Sequence, residues 1–178
     1  MEVPGDIELA ERAAGGDDGA FECLANRHYT LVYRTAYKWC GIRADAEDIA
    51  QEVFVKLARA IRGFRGGSSF TTWLYRITVN TAKDFHRSNA AKKSREAAYI
   101  EEESAEKAAA GGPDNNPVSS EDIYGAIEKL PIKQKEAVLL VLAEGLSHRE
   151  AGVILGCAET TVSWRVFQAR RKLTGLLK

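Results

Sequence analysis

Basic side chains gather in two stretches of the chain and are the clearest chemical signal in the sequence. Between Lys56 and Arg95 there are ten Lys or Arg residues and one acidic residue, and from Thr160 onward there are five basic residues and no acid. Clustered cations attract phosphate groups with an affinity that falls as salt rises. This pattern predicts contact with nucleic acid, and solvated helix faces are the alternative.

Acidic side chains dominate the other segments, so the balance of 25 basic and 25 acidic residues hides a strong alternation. Acids outnumber bases by eleven to five in residues 1–53, six to one in residues 96–120 and seven to four in residues 121–159. Duplex DNA repels such segments, so they need solvent or a basic protein partner.

Residues that could support catalysis or metal binding are few and scattered. The three cysteines have no partner at C-x-x-C spacing, and no histidine pairs with a second ligand on one helix face. The sequence also lacks a Gly-rich phosphate loop of Walker type and a nucleophile beside a histidine. We therefore predict no enzymatic activity, no disulfide framework, no metal site and no cofactor. The residues concerned are Cys23, Cys40, Cys157, His28, His86 and His148.

Apolar residues recur at helical spacing through most of the chain, which predicts an all-α fold of two small helical domains joined by a flexible linker. Four helices are expected between Asp6 and Arg95. One begins at Asp17 or Asp18 and ends at Gly41, and Asp45 is expected to cap the next. A Gly-rich loop at residues 63–69 then precedes a helix that starts near Phe70. We expect domains at residues 1–95 and 121–178.

Residues 96–120 lose the helical pattern and are predicted to be an acidic linker, partly helical at its start. The longest apolar run, residues 137–143, is far shorter than the roughly 18–20 residues that cross a bilayer. With no signal-peptide pattern at the N-terminus, we expect a soluble, cytoplasmic protein without membrane insertion.

The C-terminal segment has the pattern of a helix-turn-helix. Pro131 is expected to open one helix, Ser147 and Glu150 form a capping box for a short helix that ends at Gly156, and a longer helix follows over residues 160–177. On this helix an apolar stripe is expected to be buried, while polar, aromatic and basic side chains face outward, as is typical of a helix that reads DNA. An ordinary αα-hairpin is the alternative. The stripe is Val162, Val166, Ala169, Leu173 and Leu176; the outward residues are Ser163, Trp164, Phe167, Gln168 and Arg171.

Three motifs occur in order across both predicted domains. They are residues 45–54 (DAEDIAQEVF), residues 64–66 (FRG) with 70–80 (FTTWLYRITVN), and residues 145–147 (GLS) continuing to 161–170 (TVSWRVFQAR). Together they resemble the extracytoplasmic function (ECF) sigma factors, a two-domain branch of the sigma-70 family of bacterial RNA polymerase. The resemblance implies an alternative sigma factor that directs promoter-specific initiation by reading the −10 and −35 elements.

The resemblance also implies three binding surfaces. Core polymerase, through its β′ clamp helices, would contact Asp45, Asp48, Gln51 and Glu52. The −10 element would be opened and held by Lys56, Arg59, Phe64, Arg65, Ser68, Ser69, Arg76, Asn80 and Lys83. The −35 element would contact Arg149, Thr161, Ser163, Trp164, Arg165, Phe167, Gln168 and Arg171. Trp73 shares the apolar stripe of Ile77, so we expect it in the core and not as a melting wedge.

Further partners implied by the resemblance are the β flap of the polymerase, promoter DNA and an anti-sigma factor. The protein would be associated with the nucleoid, and the anti-sigma factor could hold it near the membrane. The linker would thread the RNA-exit path, and a simple tether is the alternative. Family members often have a small residue at the position of Trp164 and a basic residue at the position of Gln168. The −35 sequence that this chain prefers therefore cannot be inferred from theirs. Two other functions stay open: a free-standing helix-turn-helix regulator and a helical protein-interaction module.

Overall fold

The computed structural model describes residues 4–99 and 120–177, and in these residues every regular element is a helix. This confirms the predicted all-α fold. The N-terminal unit contains α1 (Asp6–Ala14), α2 (Asp18–Cys40), α3 (Arg43–Ala60), a 3₁₀ turn (Ile61–Gly63) and α4 (Phe70–Tyr99). The C-terminal unit contains α5 (Ser120–Glu128), α6 (Ile132–Val138), a π-helical turn (Leu139–Ala143), α7 (His148–Leu155) and α8 (Glu159–Leu176). Most of the predicted linker lies outside the described residues.

Local capping signals set both ends of α2, as the sequence predicts. The Asp17 side chain accepts a hydrogen bond from the backbone N–H of Ala20 at 3.0 Å, which satisfies one of the free donors at the helix start. The helix ends where Gly41 adopts a left-handed conformation with φ of 70°, a geometry that costs glycine little.

Two capping predictions are wrong in detail. Ile42 is the N-cap of α3, and Asp45 lies within its first turn. There the carboxylate still faces the positive end of the helix dipole, so the residue type suits the position although the boundary differs. Pro131 is the N-cap of α6 and not its first residue.

The N-terminal core forms where α2, α3 and α4 pack together. Its largest fully buried side chains include Leu24 and Trp39 of α2, Leu57 of α3, and Phe70 and Leu74 of α4. Each aliphatic side chain of this kind stabilises the fold by about 1.5–3 kcal/mol relative to its exposed state. These helices therefore hold a rigid platform beneath the loop at residues 63–69.

The C-terminal core is smaller and places α8 against α6 and α7. On α8, Val162, Val166 and Ala169 are buried as predicted, whereas Leu173 is half-buried. Leu176 is 47% exposed, so its predicted place in the buried stripe is wrong.

The two units are in contact in this structure. Helix α4 packs on α7, and α2 packs on the π-helical turn. The buried apolar residues of both units form one continuous cluster.

Candidate nucleic-acid interface

Residues proposed for the −10 element come from α3, the following loop and α4, and the packing of α3 on α4 brings them to one side of the N-terminal unit. Lys56 of α3 connects to α4, because its Nζ donates to the Thr81 hydroxyl at 3.3 Å and lies 3.7 Å from a carboxylate oxygen of Asp84. The same Nζ lies 3.7 Å from Glu52. Arg59 and Asn80 are exposed. The surface is therefore cationic but moderated by its own carboxylates.

The loop at residues 63–69 borders a cavity of about 280 Å³. Four of the predicted residues line it: Phe64, Arg65, Ser68 and Arg76. Ser69 instead caps the start of α4, since its Oγ accepts the Thr72 backbone N–H at 3.1 Å. A cavity of this size, lined by glycines and by two aromatic residues, could receive a single flipped base.

Trp73 belongs both to an aromatic cluster and to the wall of the cavity, whereas the sequence predicted only a core position. It is half-buried, and its ring lies 5.1 Å from Phe64 and 5.9 Å from Phe70, so it belongs to an aromatic cluster beneath the loop. It also lines the cavity, together with Gly63, Gly67 and Val153, none of which was predicted as a site residue. The signal for Trp73 was its spacing, one helical turn before Arg76.

Two predicted −10 cations contact the C-terminal unit. A guanidinium nitrogen of Arg76 donates to the backbone carbonyl of Val153 at 2.7 Å. The Nζ of Lys83 lies 2.8 Å from a carboxylate oxygen of Glu136. Both side chains are thus occupied within the protein in this arrangement.

The predicted acidic surface lies on α3, where Asp48, Gln51 and Glu52 are exposed and Asp45 is half-buried. A row of stacked aromatic rings borders it on α2, which the sequence analysis missed. Tyr29, Tyr33 and Tyr37 have ring centroids 6.3 and 6.4 Å apart, and Phe54 of α3 lies 6.1 Å from Tyr29. Their i, i+4, i+8 spacing, one face of a helix, was visible in the sequence.

The helix-turn-helix is formed by capping residues at both ends of α7 and by a close backbone contact between α7 and the turn that follows it. Ser147 and Glu150 form the predicted capping box, and hydrogen bonds from the Ser147 hydroxyl and backbone N–H hold the pKa of Glu150 below its usual range. Gly156 ends α7 with φ of 65°. A Cβ on Gly152 would lie only 2.8 Å from the carbonyl oxygen of Cys157, so the turn packs directly on the helix backbone.

The outward face of α8 carries large aromatic side chains. Trp164 is 59% exposed and Phe167 is 58% exposed, and the Arg171 guanidinium lies 6.0 Å from the Phe167 ring centroid. Gln168 is half-buried beside them. A solvated aromatic pair on a cationic helix is an unfavourable surface for an isolated protein and is suited to a binding face.

Other predicted −35 residues have structural contacts. Ser163 is half-buried: its Oγ donates to the Glu159 carbonyl at 3.0 Å and lies 2.7 Å from Nδ1 of His148. Arg165 is half-buried with a nitrogen 3.5 Å from the Cys157 sulfur. Thr161 is half-buried near the helix start. Exposed Arg149 borders a cavity of about 620 Å³ that is lined by residues from α7 to the start of α8 and by Arg76 of α4.

Within residues 4–99 and 120–177, no group of three or more His, Cys, Asp or Glu side chains is placed to share a metal ion. No helix in the same residues is both long and apolar enough to cross a membrane.

Comparison with known proteins gives consistent matches over both units. The family model for Sigma-70 region 2 matches residues 24–92, and that for Sigma-70, region 4 matches residues 120–173. The ECF RNA polymerase sigma-E factor of Haemophilus influenzae is 36% identical, with 94% of this chain and 93% of the relative aligned. The sigma-E factor of Escherichia coli K12 is also 36% identical, over 94% of this chain and 92% of the relative.

Two solved structures resemble this fold across both units. CnrH, in complex with the cytosolic domain of CnrY, superposes with a TM-score of 0.68 and 26% identity over 95% of this chain and 94% of that chain. The sigma factor RpoE from Bartonella quintana, in complex with the anti-sigma factor NepR, gives a TM-score of 0.65 and 28% identity over 88% of this chain and 96% of that chain.

Proposed function

The chain belongs to the ECF sigma factors of the sigma-70 family, and from this premise we propose which of its residues carry each step of promoter recognition. It is an alternative sigma factor, a non-enzymatic subunit that binds core RNA polymerase and directs promoter-specific initiation. A free-standing regulator is not favoured, because sigma regions 2 and 4 occur in order in one chain. The presence of both regions in this order in one chain is the observation that carries the proposal.

The −10 element is held by the cationic side of α3 and α4. Lys56, Arg59, Arg76 and Lys83 neutralise phosphates of the displaced strand, because an unstacked strand needs cations along its backbone. One extruded base enters the cavity bordered by residues 63–68. Aromatic rings below that cavity, those of Phe64 and Trp73, offer it a stacking surface.

The −35 element is read by α8 in the major groove. Gln168 and Arg171 are placed to hydrogen-bond base edges, while Trp164 and Phe167 contact thymine methyl groups or sugars. Arg149, Thr161 and Arg165 hold phosphates and set the register. Ser163 contributes by fixing α7 to α8 through His148, so its role is to orient the reading helix.

Core polymerase docks on α3, where Asp48, Gln51 and Glu52 form an exposed acidic surface and Asp45 supports the first turn. The complementary partner is the basic surface of the β′ clamp helices, since opposite charges steer encounter and fix register. Tyr29, Tyr33 and Phe54 extend this surface with large, rigid contact area of the kind that dominates interface energetics. The β flap receives the C-terminal unit.

We place the functional boundaries at residues 1–95, 96–120 and 121–178, with α4 continuing to Tyr99. The acidic linker follows the RNA-exit path, where it presents the same charge sign as RNA. The protein acts in the cytoplasm at the nucleoid, and an anti-sigma factor holds it inactive, near the membrane if that factor is anchored there.

Run-off transcription from a randomised promoter library tests this function. Bacterial core polymerase is assayed with and without the full-length chain, and a DNA-shift assay is run on the chain alone. Product that requires both components supports the proposal. Tight binding of a duplex by the chain alone, without initiation, would favour the regulator instead.

Matched variants sharpen the test. Arg171→Ala should relax the selected −35 sequence at one or two positions, because a base-edge contact is lost. Lys133→Ala, a change at an exposed position of α6, serves as the control and should leave the selected promoters unchanged.

A further inference from the structure

A buried histidine lies behind the −10 surface, and the proposed function does not use it. His28 of α2 is 8% exposed, and its Nε2 lies 2.9 Å from a carboxylate oxygen of Asp6, the first residue of α1. An ionised carboxylate only accepts hydrogen bonds, so Nε2 is the donor. Arg27 donates to the other Asp6 oxygen at 2.6 Å. Both oxygens of this carboxylate are therefore bound by neighbouring residues of α2.

The ring of His28 also packs against the aromatic cluster beneath the loop at residues 63–69. Its centroid lies 5.3 Å from that of Phe70, which is 1% exposed. The Phe70 ring in turn meets Phe64 edge-on at 5.6 Å and lies 5.9 Å from Trp73. Phe64 and Trp73 line the cavity of about 280 Å³. A continuous series of ring contacts therefore connects His28 to the wall of that cavity.

Helix α1 supports the same region by a second contact. It packs on the 3₁₀ turn (Ile61–Gly63) as well as on α2, and Leu9, Ala10 and Ile61 are all buried. The Phe64 backbone N–H donates to the Ile61 carbonyl at 3.0 Å, so this turn leads directly into the wall of the cavity. Two separate contacts therefore connect α1 to that wall.

An imidazole at this position has a property that an apolar side chain lacks. A leucine or phenylalanine would also exclude water, but apolar packing sets no preferred direction, whereas a hydrogen bond weakens steeply as its angle closes. A hydrogen bond to a carboxylate is also stronger than one between neutral groups. Asp6 therefore restrains the orientation of the His28 ring. Because protein interiors are close-packed, this restraint is passed on to the rings in contact with it.

We propose that Asp6 and His28 are positioning residues for the pocket that receives the extruded base. Neither lines the cavity, and they act through Phe70, which sets the orientation of the two lining rings, Phe64 and Trp73. Capture of the base rests on the proposed function, whereas the orientation of the rings rests on these contacts alone. Stacking of a base on an aromatic ring changes affinity by about fivefold or more. Displacement of the rings should therefore weaken the hold on one base and leave the phosphate contacts unchanged.

Binding of single-stranded DNA by the holoenzyme tests the effect on base capture. The full-length chain is assembled with bacterial core polymerase, and fluorescence anisotropy gives the affinity for a strand that carries the −10 sequence selected by run-off transcription. The same strand is made with an abasic site at each position in turn, which removes one base and keeps its phosphate. For the wild type, one abasic strand should bind at least about fivefold more weakly than the intact strand.

His28→Ala and Asp6→Ala should reduce this ratio of affinities by at least about threefold at that position only. A variant that merely folds less well binds every strand more weakly by one factor, so its ratios do not change. His28→Phe keeps a ring but loses the donor to Asp6, so it should match Asp6→Ala. Arg12→Ala is the matched control, because it removes a different ion pair of α1, that with Asp17 at 2.8 Å, and it should keep the wild-type ratio. A wild-type ratio in His28→Ala or in Asp6→Ala would overturn the inference. Circular dichroism checks that each variant keeps its helicity, and if His28→Ala does not, Asp6→Ala and His28→Phe decide the outcome.

Fluorine NMR of the full-length chain labelled with fluorotryptophan follows the pocket wall without DNA. The Trp73 signal is the one missing from Trp73→Phe, and Trp164, exposed on α8, is the internal reference. Asp6→Ala and His28→Phe should shift the Trp73 signal, whereas Arg12→Ala should not; an unshifted signal in either of the first two variants would overturn the inference. If the wild-type holoenzyme binds intact and abasic strands equally at every position, the base pocket of the proposed function is rejected, while the Trp73 signal still decides whether Asp6 and His28 position this ring.

Discussion

Replacing Gly152 by alanine should destabilise the helix-turn-helix, although alanine is the better helix former. The added Cβ would lie 2.8 Å from the Cys157 carbonyl oxygen, whereas ordinary contacts begin near 3.4 Å. The obstructing atom therefore has to move by about 0.6 Å, and since it is backbone held by the Cys157 N–H bond to the Gly152 carbonyl at 3.0 Å, it cannot rotate away as a side chain would.

The net effect follows from two opposing terms. Overpacking of this kind costs about 1–3 kcal/mol, and a rigid backbone obstacle favours the upper end of that range. Helix propensity returns about 1 kcal/mol when Gly becomes Ala. The free energy of unfolding should therefore fall by about 2 kcal/mol, which corresponds to a Tm lower by about 4–8 °C for a chain of this size.

Thermal and urea unfolding followed by circular dichroism measures this loss. Gly175→Ala is the matched control, because its added Cβ meets nothing within 4 Å on α8. That variant should be unchanged or stabilised by up to about 1 kcal/mol. If Gly152→Ala proved as stable as Gly175→Ala, the close approach of the turn to α7 would not exist as described, and the orientation proposed for α8 would lose its support.

Three further predictions concern other parts of the molecule. Trp164→Ala should change the free energy of unfolding by no more than about 0.5 kcal/mol, because the ring is 59% exposed, yet it should alter the selected −35 sequence; a large loss of stability would show that the ring is structural. Glu150 has a folded-state pKa below its usual value, so it stabilises α7 above the unfolded-state pKa of about 4.3, and this contribution is lost as pH falls through the lower folded-state pKa. Glu150→Gln keeps the cap without titrating, so in an acid titration of helicity the wild type should lose more stability than the variant, and parallel curves would contradict this. Asp48→Lys should weaken binding to core polymerase at least tenfold in a competition assay, whereas Asp18→Lys, an exposed change on α2, should not.

Much of the fold could be predicted because its signals are local. The cap at Asp17, the left-handed glycines at positions 41 and 156, and the Ser147 capping box each involve residues within a few positions of one another. Helix periodicity likewise depends on neighbours three and four residues apart. The errors at Asp45 and Pro131 are boundary errors of one to three residues, the scale at which helix ends are least defined by sequence.

The candidate site was predicted less completely, since side-chain environment depends on distant elements. Ser163 was assigned outward by its place on the helix, but α7 supplies His148 as a partner fifteen residues earlier. The aromatic row on α2 has a helical spacing that is present in the sequence, but its exposure depends on the packing of α3. That packing leaves Tyr29 47% and Tyr37 38% exposed, with Phe54 beside Tyr29.

The sequence by itself determined the helices, their caps, the segregation of charge and the family, because these are properties of neighbouring residues and of motifs in order. Tertiary structure alone decided which charged side chains are paired within the protein and which are available to a partner. Lys83 and Glu136 are more than fifty positions apart, and Arg76 and Val153 are separated by 77. Contacts over such separations depend on how the two helical units pack against each other. Residue type and local spacing do not specify that packing.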